Sequence, residues 1–598
     1  MKGVNGIILE VNLSDGTINK LKISEKDFTL FLGGRALGMK LLAQYLQKPG
    51  IDPASAENPL MFMPGLFCGF PVPNASRTCM VTKSPMTSPI DSTYTHASTV
   101  SYSNMGGFIG PEIKFAGYDG IVITGKSVKP VYLYIENETV ELRDASRFWE
   151  LGTNQFENEI TEEIGDRRFE TAYIGTGAVN GVLFSSVINT GARAAGRGGT
   201  GYVMGTKMLK AIVVRGTKMP EVFDHQRYVD LLKQIRLSFA ADSKSKDDWR
   251  FGGTANALQF SSDRGSQAVK NYSEGTFTEI GKINVFAARE QVWKRDMACY
   301  SCQLSCKKSG FAKGAYGGIV NEGIEYETGT MLGANLLVDD LNGLHTMISI
   351  ADDYGIDIIT LGNVIGFLME CYDKKLIDKN FLDGIDLSWG NVDACIQMIH
   401  QIGKNTGIGK DASKGVKHLA AIIGKGSSDF AIHVKGHELA AWNVQGYAKT
   451  FGISYTTANR GACHMTGGEI SGQNLSVLRD SLGMCSFASS WYKGDLHFRH
   501  FIHALTGIEL TEEAFQETGE RMFNLERTFN CREGFTRQDD ILPERFFKDA
   551  YTVGPQKDAK LNKADFDKMM DDYYTHRGWN LQTGVPEPET LKKLKLEI

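Results

Sequence analysis

Several features that mark specialised classes of protein are scarce in this sequence of 598 residues. Its 15 prolines, set against 66 glycines, exclude a proline-rich disordered chain and indicate tight turns and close backbone approaches. Positive charge is not in excess, because 65 basic residues stand against 70 acidic ones and the net charge is −5. No run of Lys or Arg stands out. We therefore expect no nucleic-acid partner.

Long hydrophobic runs are also missing. The longest nearly apolar stretch, residues 356–368, contains Asp357 and is far too short to span a bilayer. The N-terminal residues MKGVNGIILEVNL lack the apolar segment and the small-residue cleavage site of a secretory signal. These absences predict a soluble, cytoplasmic protein without a membrane partner.

Cysteine is scarce for a chain of this length, but its distribution is uneven. Three of the 10 cysteines lie together in MACYSCQLSCKK, with the spacing Cys299-x2-Cys302-x3-Cys306. Thiolates this close can reach three corners of one small metal centre, and an iron–sulfur cubane then needs a fourth ligand from elsewhere. Zinc also accepts thiolates, but structural zinc sites usually pair two CxxC knuckles, and no second knuckle occurs here. Three unrelated buried cysteines are the remaining alternative, and we predict an iron–sulfur cluster.

The chain has enough hydrophobic residues for a large core. The spacing of these residues changes about a third of the way along the chain. Runs rich in β-branched and aromatic residues predict strands at 6–13, 18–23, 120–124, 131–135 and 210–215. Apolar residues at helical spacing predict helices at 228–239, 344–351, 361–371 and 511–530. We therefore predict an α+β fold, in which a β-rich N-terminal domain is followed by two mainly helical domains. The predicted domain boundaries are 1–215, 216–430 and 431–598.

Two hexapeptides share the pattern D-x-x-G-apolar-D/C. The first is DDYGID at 352–357 and the second is DSLGMC at 480–485. In each, glycine permits a turn, the first Asp can accept hydrogen bonds, and the last residue presents a second polar or metal-binding side chain. Either hexapeptide alone fits an ordinary helix C-terminus. Their similarity suggests two related sites, one of which also supplies Cys485 to the cluster.

The pairing of CxxCxxxC with two such hexapeptides resembles the aldehyde:ferredoxin oxidoreductase family of tungsten–pterin enzymes. The resemblance extends along nearly the whole chain, through the segments FLGGRALG near residue 32, GGFIGPEIKFAGYDGIVITGK at 106–126, GARAAGRGGTGYVMGTKMLKAIVVRGT at 191–217, EYETGTMLGAN at 325–335, NRGACH at 459–464, and GERMFNLERTFN and RGW towards the C-terminus.

The resemblance implies a tungsten or molybdenum bis-pterin cofactor, one [4Fe–4S] cluster, and Mg²⁺ between the pterin phosphates. The bis-pterin would bind to the N-terminal domain, the middle domain would carry CxxCxxxC and the first hexapeptide, and the last domain would carry the second. The implied cluster ligands are Cys299, Cys302, Cys306 and Cys485. The implied pterin contacts are Arg77, Asn104, Gly106, Arg193, Ala194, Gly196, Arg197, Asp352, Ile356, Asp357, Arg460, Asp480, Met484 and Ser486. Guanidinium groups suit phosphates, and carboxylates suit pterin N–H donors.

The resemblance further implies two catalytic residues, Glu327 in EYE and His464 in ACH. Glu327 would act as a base on water, while His464 would hydrogen-bond to the carbonyl oxygen of an aldehyde or protonate it. Without the resemblance, either residue would be interpreted as structural. The implied reaction is oxidation of small aldehydes to carboxylic acids, with electrons passing through the cluster to ferredoxin or a ferredoxin-like subunit.

Two other functions compete with aldehyde oxidation. One is the catalytic subunit of a complex that reduces another substrate, such as an aryl-CoA thioester or a carboxylate. The segment LFCGFPVP around Cys68 resembles the aryl-CoA-reducing branch of the family. The other is a structural or electron-relay subunit, which the retention of Glu327 and His464 argues against. A homodimer and a hetero-oligomer are both compatible with these functions.

The sequence departs from the family pattern at several positions. Thr466 stands where a Lys commonly follows the catalytic His, so one pterin contact is expected to be lost. The segment between His464 and Asp480 is shorter than in archaeal aldehyde enzymes, so a loop near the substrate entrance is expected to be missing. Thr346 and Ile396 replace the Glu and His that bridge archaeal subunits through iron, so no such bridge is expected.

Residues 196–201 also fit the GxGxxG pattern of a dinucleotide-binding loop, with Glu221 near the distance expected for the ribose-binding acid. That pattern alone is weak, since it requires a strand before it and a helix after it. The same loop carries Arg193 and Arg197, which favours direct phosphate binding by a pterin site.

Overall fold

The first third of the chain folds into two mixed β-sheets. A computed structural model describes residues 1–190 and 193–596, and it is the structure discussed below. The strand order in the first sheet is Ile18–Lys22, Ile7–Asn12, Gly120–Thr124, Leu60–Pro64, Thr78–Lys83 and Val100–Met105. The strand order in the second sheet is Arg193–Ala195, Val187–Asn189, Glu170–Tyr173, Leu209–Arg215, Val131–Glu136 and Thr139–Asp144.

One parallel pair near the middle of each sheet supports the core between the sheets. Leu9 pairs with Ile121 in the first sheet, and Leu133 pairs with Ile212 in the second. All four side chains are fully buried in one apolar cluster, to which the helix Ile109–Phe115 also contributes. Because alternate residues of a strand point to opposite faces, the outer faces remain available for helices and for a site.

The rest of the chain is mainly helical. The helices within the sheet region are Glu25–Phe31, Gly34–Tyr45, Ile109–Phe115, Thr153–Ile164, Thr176–Val179 and Thr200–Thr206. The later helices are His225–Ala241, Ser243–Gly252, Ala257–Asp263, Val285–Gln291, Tyr326–Met331, Leu341–Tyr354, Ile358–Asp373, Val392–Lys404, Gly409–Ala412, Val416–Ile423, Ile453–Thr457, Ile470–Leu482, Asp495–Thr506, Glu512–Arg532, Arg545–Lys548, Lys563–Arg577 and Pro588–Lys593. Short strands among them are Trp293–Met297, Lys307–Ala312, Gly318–Val320, His433–Val434 and His437–Glu438.

The predicted α+β class is confirmed by this arrangement, and the domain boundaries stay predictions. Local signals placed individual elements well. The helix predicted at 511–530 is observed as Glu512–Arg532, because the Thr511 hydroxyl accepts the N–H of Ala514 at 3.2 Å and caps the helix. Among the described residues, no helix is both long enough and apolar enough to cross a bilayer.

The loop at 196–201 does not belong to a dinucleotide-binding unit. The strand before it, Arg193–Ala195, lies at a sheet edge and pairs antiparallel with Val187–Asn189. The helix that follows leads to Leu209–Arg215, which is not a neighbour of the first strand. A dinucleotide-binding unit needs two neighbouring parallel strands joined by the helix, so the sheet does not support dinucleotide binding at this loop.

Candidate functional site

Every residue predicted above for the cofactor, the cluster or catalysis lines one cavity of about 950 Å³. These residues come from both sheets and from helices far apart in the sequence. The predictions therefore describe one site rather than several.

Both hexapeptides are helix ends, and both line the cavity. One helix ends at Gly355 with φ 68°, and another ends at Gly483 with φ 78°. This left-handed conformation favours glycine, which explains the residue shared by the two motifs. Asp357 and Cys485 then stand immediately before the next helical segments. The hexapeptides that form these turns therefore also supply residues that line the cavity.

The N-terminal sheets hold both hexapeptides by main-chain contacts. Ile356 forms an antiparallel bridge with Ser185, and Met484 forms one with Ala75. The second hexapeptide also approaches Gly65 closely, because a Cβ on Gly65 would lie 1.9 Å from the backbone nitrogen of Gly483. The turns are therefore fixed against the sheets, which suits a site that must be formed before its ligand binds.

Arg197 is fixed by four partners around one corner of the cavity. Its guanidinium donates to the carbonyl oxygens of Glu438 at 2.6 Å and Ala462 at 3.0 Å. Its Nε lies 3.4 Å from Oδ2 of Asp357, and that carboxylate accepts the hydroxyl of Thr360 at 2.8 Å. The backbone N–H of Arg197 binds Ser103 as well. The charged group is therefore held in place within the protein itself.

Arg460 is paired with a thiol beside the catalytic candidate. Its Nη2 lies 2.9 Å from Sγ of Cys463, and Nη1 donates to the carbonyl of Tyr102. Burial alone would raise the pKa of the Cys463 thiol, but the guanidinium groups of Arg460 and Arg197 outweigh burial and lower it. The two guanidinium groups therefore stabilise the thiolate form of Cys463 relative to that of an ordinary cysteine.

Asp480, the first residue of the second hexapeptide, belongs to a buried ion network. It accepts Nη1 of Arg35 at 3.0 Å, while Arg35 binds both oxygens of Glu526 at 2.8 Å. The guanidinium carbon also lies 3.4 Å from the ring centroid of Tyr102. One cation thus serves two carboxylates, so Asp480 reaches the cavity with its charge compensated.

Asp352, the first residue of the other hexapeptide, has a different environment. One of its carboxyl oxygens is buried without a hydrogen-bond partner among the described residues. Burial, followed by the charge of Glu322, raises the pKa of Asp352 well above its usual range, although Lys307 opposes this. The protonated form of Asp352 is favoured, and it can donate as well as accept.

The predicted cluster cysteines are free thiols that line the cavity. Donors surround their sulfurs, since Asn74 Nδ2 lies 3.0 Å from Cys302 Sγ and Arg77 Nη2 lies 3.5 Å from Cys485 Sγ. Arg193 Nη2 similarly lies 3.8 Å from the sulfur of Cys306. In residues 1–190 and 193–596, no three His, Cys, Asp or Glu side chains converge closely enough to hold a single metal ion.

The small predicted positions also have identifiable surroundings. A Cβ on Gly106 would come 2.8 Å from the sulfur of Cys299, so glycine makes room for that thiol. A Cβ on Gly196 would meet nothing within 4 Å, so this position faces open space. Asn104 presents a buried Oδ1 without a partner among the described residues, and Ala194 follows Arg193 in the edge strand.

Glu327 and His464, the catalytic candidates, face each other. His464 Nε2 lies 3.5 Å from Glu327 Oε1, and each side chain is about a fifth exposed (19% and 21%). Burial raises the pKa of Glu327 to about 7, although the N–H of Ala441, 2.8 Å from its other oxygen, opposes the rise. Burial, with help from Arg197 and Arg460, lowers the pKa of His464 to about 3. At neutral pH the pair is a neutral imidazole beside a carboxyl group poised to exchange its proton.

Sequence reasoning missed several residues of this site. Arg35 had a signal, because it lies inside FLGGRALG, but no pattern links it to Asp480. Glu438 Oε2 lies 3.1 Å from the Thr360 hydroxyl, which also contacts Asp357 of the first hexapeptide. Arg479 lines the cavity immediately before the second hexapeptide. Their roles depend on contacts between distant segments, which spacing along the chain does not encode.

The cavity as a whole fits a large phosphate-bearing group. Guanidinium groups line it, and polar atoms without partners face it, among them Oδ1 of Asn104, Nε of Arg460 and Nδ1 of His464. Buried polar atoms of this kind are rare without a ligand to satisfy them. The open space at Gly196 is a further position that a bound group would fill.

Fold and site together define an α+β protein whose arginine-rich cavity is also lined by the four predicted cluster cysteines. The family model described as "Aldehyde ferredoxin oxidoreductase, N-terminal domain" matches residues 8–216. The model described as "Aldehyde ferredoxin oxidoreductase, domains 2 & 3" matches residues 230–596. The chain belongs to the aldehyde ferredoxin oxidoreductase family, and the resemblance inferred from its motifs is confirmed.

Similar proteins include the tungsten-containing aldehyde ferredoxin oxidoreductase of Pyrococcus abyssi, which is 34% identical over 626 residues that cover 100% of both chains. The aliphatic sulfonate oxidoreductase, WOR-like subunit, of Pyrococcus furiosus is 30% identical and covers 99% of this chain and 97% of its own. A solved structure of the active site complex BamBC of benzoyl coenzyme A reductase has a TM-score of 0.83. It is 24% identical, covers 100% of this chain and 97% of its own, and supports the fold.

These relatives are oxidoreductases, and the tungsten in the names of several of them implies a tungsten–pterin cofactor for the family. The substrates in their names differ, since they include aldehydes and an aliphatic sulfonate. Family membership therefore fixes the class of chemistry and leaves the particular substrate to the site.

Proposed function

We propose that this chain is the catalytic subunit of a tungsten or molybdenum bis-pterin oxidoreductase that oxidises aldehydes to carboxylic acids. Electrons would leave through one [4Fe–4S] cluster to ferredoxin or to a ferredoxin-like subunit. The observation that carries the proposal is the pairing of Glu327 and His464, 3.5 Å apart, in the cavity that also holds the arginines and the four cysteines.

The proposed division of labour follows from the chemistry of the lining residues. Arg77, Arg193, Arg197 and Arg460 would bind the phosphates and ring edges of the pterins, with Mg²⁺ proposed between the phosphates. The two hexapeptides and the backbone around Gly196 would bind the rest of the pterins. The cluster would be held by Cys299, Cys302, Cys306 and Cys485. Among the described residues, their sulfurs do not converge closely enough to bind a single metal ion, whereas a cubane cluster takes its ligands at separate corners.

Oxidation of an aldehyde consumes one water and yields a carboxylic acid, two protons and two electrons. Tungsten in its pterin cofactor would supply the acceptor for the two electrons, which the cluster would pass on singly. Glu327 would accept the proton of the water as it adds to the carbonyl carbon, because its pKa of about 7 suits a base at neutral pH. His464, which stays neutral, would donate one N–H to the carbonyl oxygen.

Substituting the two residues tests this mechanism. Glu327→Gln keeps the shape but cannot take a proton, and His464→Asn keeps one donor but loses the imidazole. Each should slow dye-linked aldehyde oxidation by roughly 10²–10⁴-fold while tungsten and iron contents stay normal. In the wild type, kcat/KM should rise as pH increases through about 7, and Glu327→Gln should lose that rise. A Gln variant with normal rates would remove Glu327 from the mechanism.

A second candidate function is reduction of another substrate, such as an aryl-CoA thioester or a carboxylate, inside a larger complex. It is favoured by the 30% identical relative that is described as a subunit of an aliphatic sulfonate oxidoreductase. The segment around Cys68 points the same way. Fully metallated wild-type protein that oxidises none of a panel of short, branched and aromatic aldehydes would favour this candidate over the first.

We also propose that assembly, as a homodimer or a hetero-oligomer, involves no interfacial iron. The Thr346 hydroxyl donates to the carbonyl of Tyr316 at 2.7 Å, and Ile396 packs against the core, so neither side chain offers the ligand found in archaeal relatives. A mononuclear iron between two chains in a crystal structure would contradict this.

The boundaries 1–215, 216–430 and 431–598 and a cytoplasmic location belong to the same proposal. Limited proteolysis followed by mass spectrometry should cut first near residues 215 and 430. Early cleavage elsewhere would move the boundaries.

A further inference from the structure

One arginine in the cavity wall, Arg479, forms no ion pair among the residues that the structure describes. Arg479 lines the cavity, and its closest polar contact is the Ser489 hydroxyl, 3.5 Å from Nη1. Its sequence neighbour Asp480 pairs with Arg35 instead. Within the part of the chain that the structure describes, no carboxylate forms an ion pair with Arg479. Burial lowers the pKa of Arg479, although the charges of Asp480 and Cys485 oppose the shift, and a guanidinium group stays charged in proteins.

Two other arginines of the cavity do have carboxylate partners. Arg193 lies 3.4 Å from carboxylate oxygens of both Glu322 and Glu325, and Arg197 lies 3.4 Å from Asp357. A half-buried cation without a partner is costly unless a ligand supplies the negative charge. The geometry of this wall therefore indicates an anionic ligand.

The position of Arg479 relates it to the catalytic pair. Ser476, one turn earlier on the same helix face, donates its hydroxyl to the carbonyl of Met465 at 2.9 Å. Met465 directly follows His464. One helical turn advances about 5 Å, so Arg479 lies about one turn along the helix from Ser476, which contacts the segment that carries His464. A molecule with its reactive carbon at His464 can extend along this wall.

A flat apolar surface lines the same cavity as Arg479. The rings of Trp249 and Phe487 stack with centroids 4.7 Å apart and an angle of 28° between them, and both line the cavity. Asp248, the nearest acidic neighbour of Trp249 in the sequence, is paired with Lys244 at 3.0 Å. The aromatic surface therefore suits the flat apolar body of a ligand.

We propose that Arg479 binds the remote anionic group of the substrate, so that the enzyme prefers aldehydes that carry a carboxylate on a flat apolar body. This inference rests on the proposed aldehyde oxidation. Arg479 would act as a specificity-determining residue, with Trp249 and Phe487 as the surface on which the body of the substrate lies.

A matched pair of substrates and one control variant test the proposal. The substrates are 4-formylbenzoate and its methyl ester, which share a shape but differ in charge. The holoenzyme should prefer the carboxylate by about ten- to a hundredfold in kcat/KM, the range expected for a charge-assisted hydrogen bond. Arg479→Gln should lose this preference through KM and leave the ester unchanged. Arg499→Gln removes a similarly half-buried arginine outside the cavity and should keep the preference.

The outcomes separate this inference from the proposed function. Equal kcat/KM for the two substrates in the wild type would overturn the inference and leave aldehyde oxidation intact. Loss of tungsten, pterin or the cluster signal in Arg479→Gln would also overturn it, since Arg479 would then hold a cofactor. If no aldehyde is oxidised, calorimetry with terephthalate and its monomethyl ester still decides. Tighter binding of terephthalate that disappears in Arg479→Gln supports the anion site, and equal binding overturns it.

Discussion

The two hexapeptides of the cavity have the same backbone and different electrostatics. Each ends a helix at a left-handed glycine, Gly355 or Gly483, and each then pairs with a segment of the N-terminal region. Even the hydrogen bonds correspond, because the N–H of Asp357 and the N–H of Cys485 donate to main-chain carbonyls at 2.9 Å and 3.0 Å. A shared turn therefore positions two related binding surfaces.

The first residues of the two motifs show what the surroundings add. Asp480 meets a buried arginine, whereas Asp352 meets other carboxylates and favours its protonated form. The last residues differ as well, because Asp357 pairs with Arg197 and Cys485 lies near Arg77. The two hexapeptides thus share one sequence pattern but offer different hydrogen-bond donors and acceptors to a ligand. The pattern specifies the turn, and the residues packed around it specify the chemistry.

The largest expected effect comes from replacing Cys485, the last residue of the second hexapeptide. Cys485→Ala should abolish the EPR signal of a reduced [4Fe–4S] centre and lower iron below the roughly four per chain expected of the wild type, as should Cys302→Ala. Asp357→Asn, at the corresponding position, should keep the iron. Cys531→Ala, outside the cavity, is the matched control. Stoichiometric zinc without iron in the wild type would sink the cluster assignment.

The next effect sharpens the contrast at the first residues. Arg35→Gln would leave Glu526 and Asp480 buried without their cation, and removal of one partner from such a network costs about 3–5 kcal/mol. Denaturant unfolding should show a loss of this size. The first hexapeptide has no equivalent of Arg35 among the described residues that contact Asp352. A change below 1 kcal/mol would mean that the network contributes little.

Cofactor retention should distinguish a binding motif from a simple turn. Asp480→Ala should lower bound tungsten or molybdenum several-fold while far-UV circular dichroism stays that of a folded protein, because the carboxylate faces the cavity and the glycine forms the turn. Metal content should be measured by plasma mass spectrometry. Wild-type metal with only a lower melting temperature would reduce the second hexapeptide to a helix end.

Much of the fold was readable from the sequence because its signals are local. The strand Gly120–Thr124 was predicted from its β-branched run, and the helix Glu512–Arg532 from its helical spacing of apolar residues. The site was only partly readable. Spacing identified the cysteines and the hexapeptides, but 491 positions separate Arg35 from Glu526, and no pattern predicts that contact.

The remaining part of the site could not be predicted because it depends on burial. The sequence DDYGID gives no reason for Asp352 to differ from Asp480. The difference arises from Glu322 and from desolvation, which exist only once the chain has folded. Arg479 was missed for the same reason, since an unpaired cation is recognised only after its neighbours are known.

The smallest expected effect concerns the protonation of Asp352. Its pKa is raised in the folded protein, whereas in the unfolded chain it is about 3.9. Well below pH 4 both states hold the proton, so Asp352 costs no stability there. As pH rises, the unfolded state is stabilised by releasing the proton, so the free energy of unfolding falls by up to about 1.4 kcal/mol per pH unit until the pKa of the folded state is reached. Asp352→Asn cannot titrate, so its free energy of unfolding should match that of the wild type near pH 3 and exceed it by about 1.5 kcal/mol at pH 5. Denaturant unfolding across this range, with the exposed Asp572→Asn as control, should show the two curves diverging upward in pH. Parallel curves would mean that Asp352 is ionised in the folded protein, and the electrostatic contrast between the two hexapeptides would disappear.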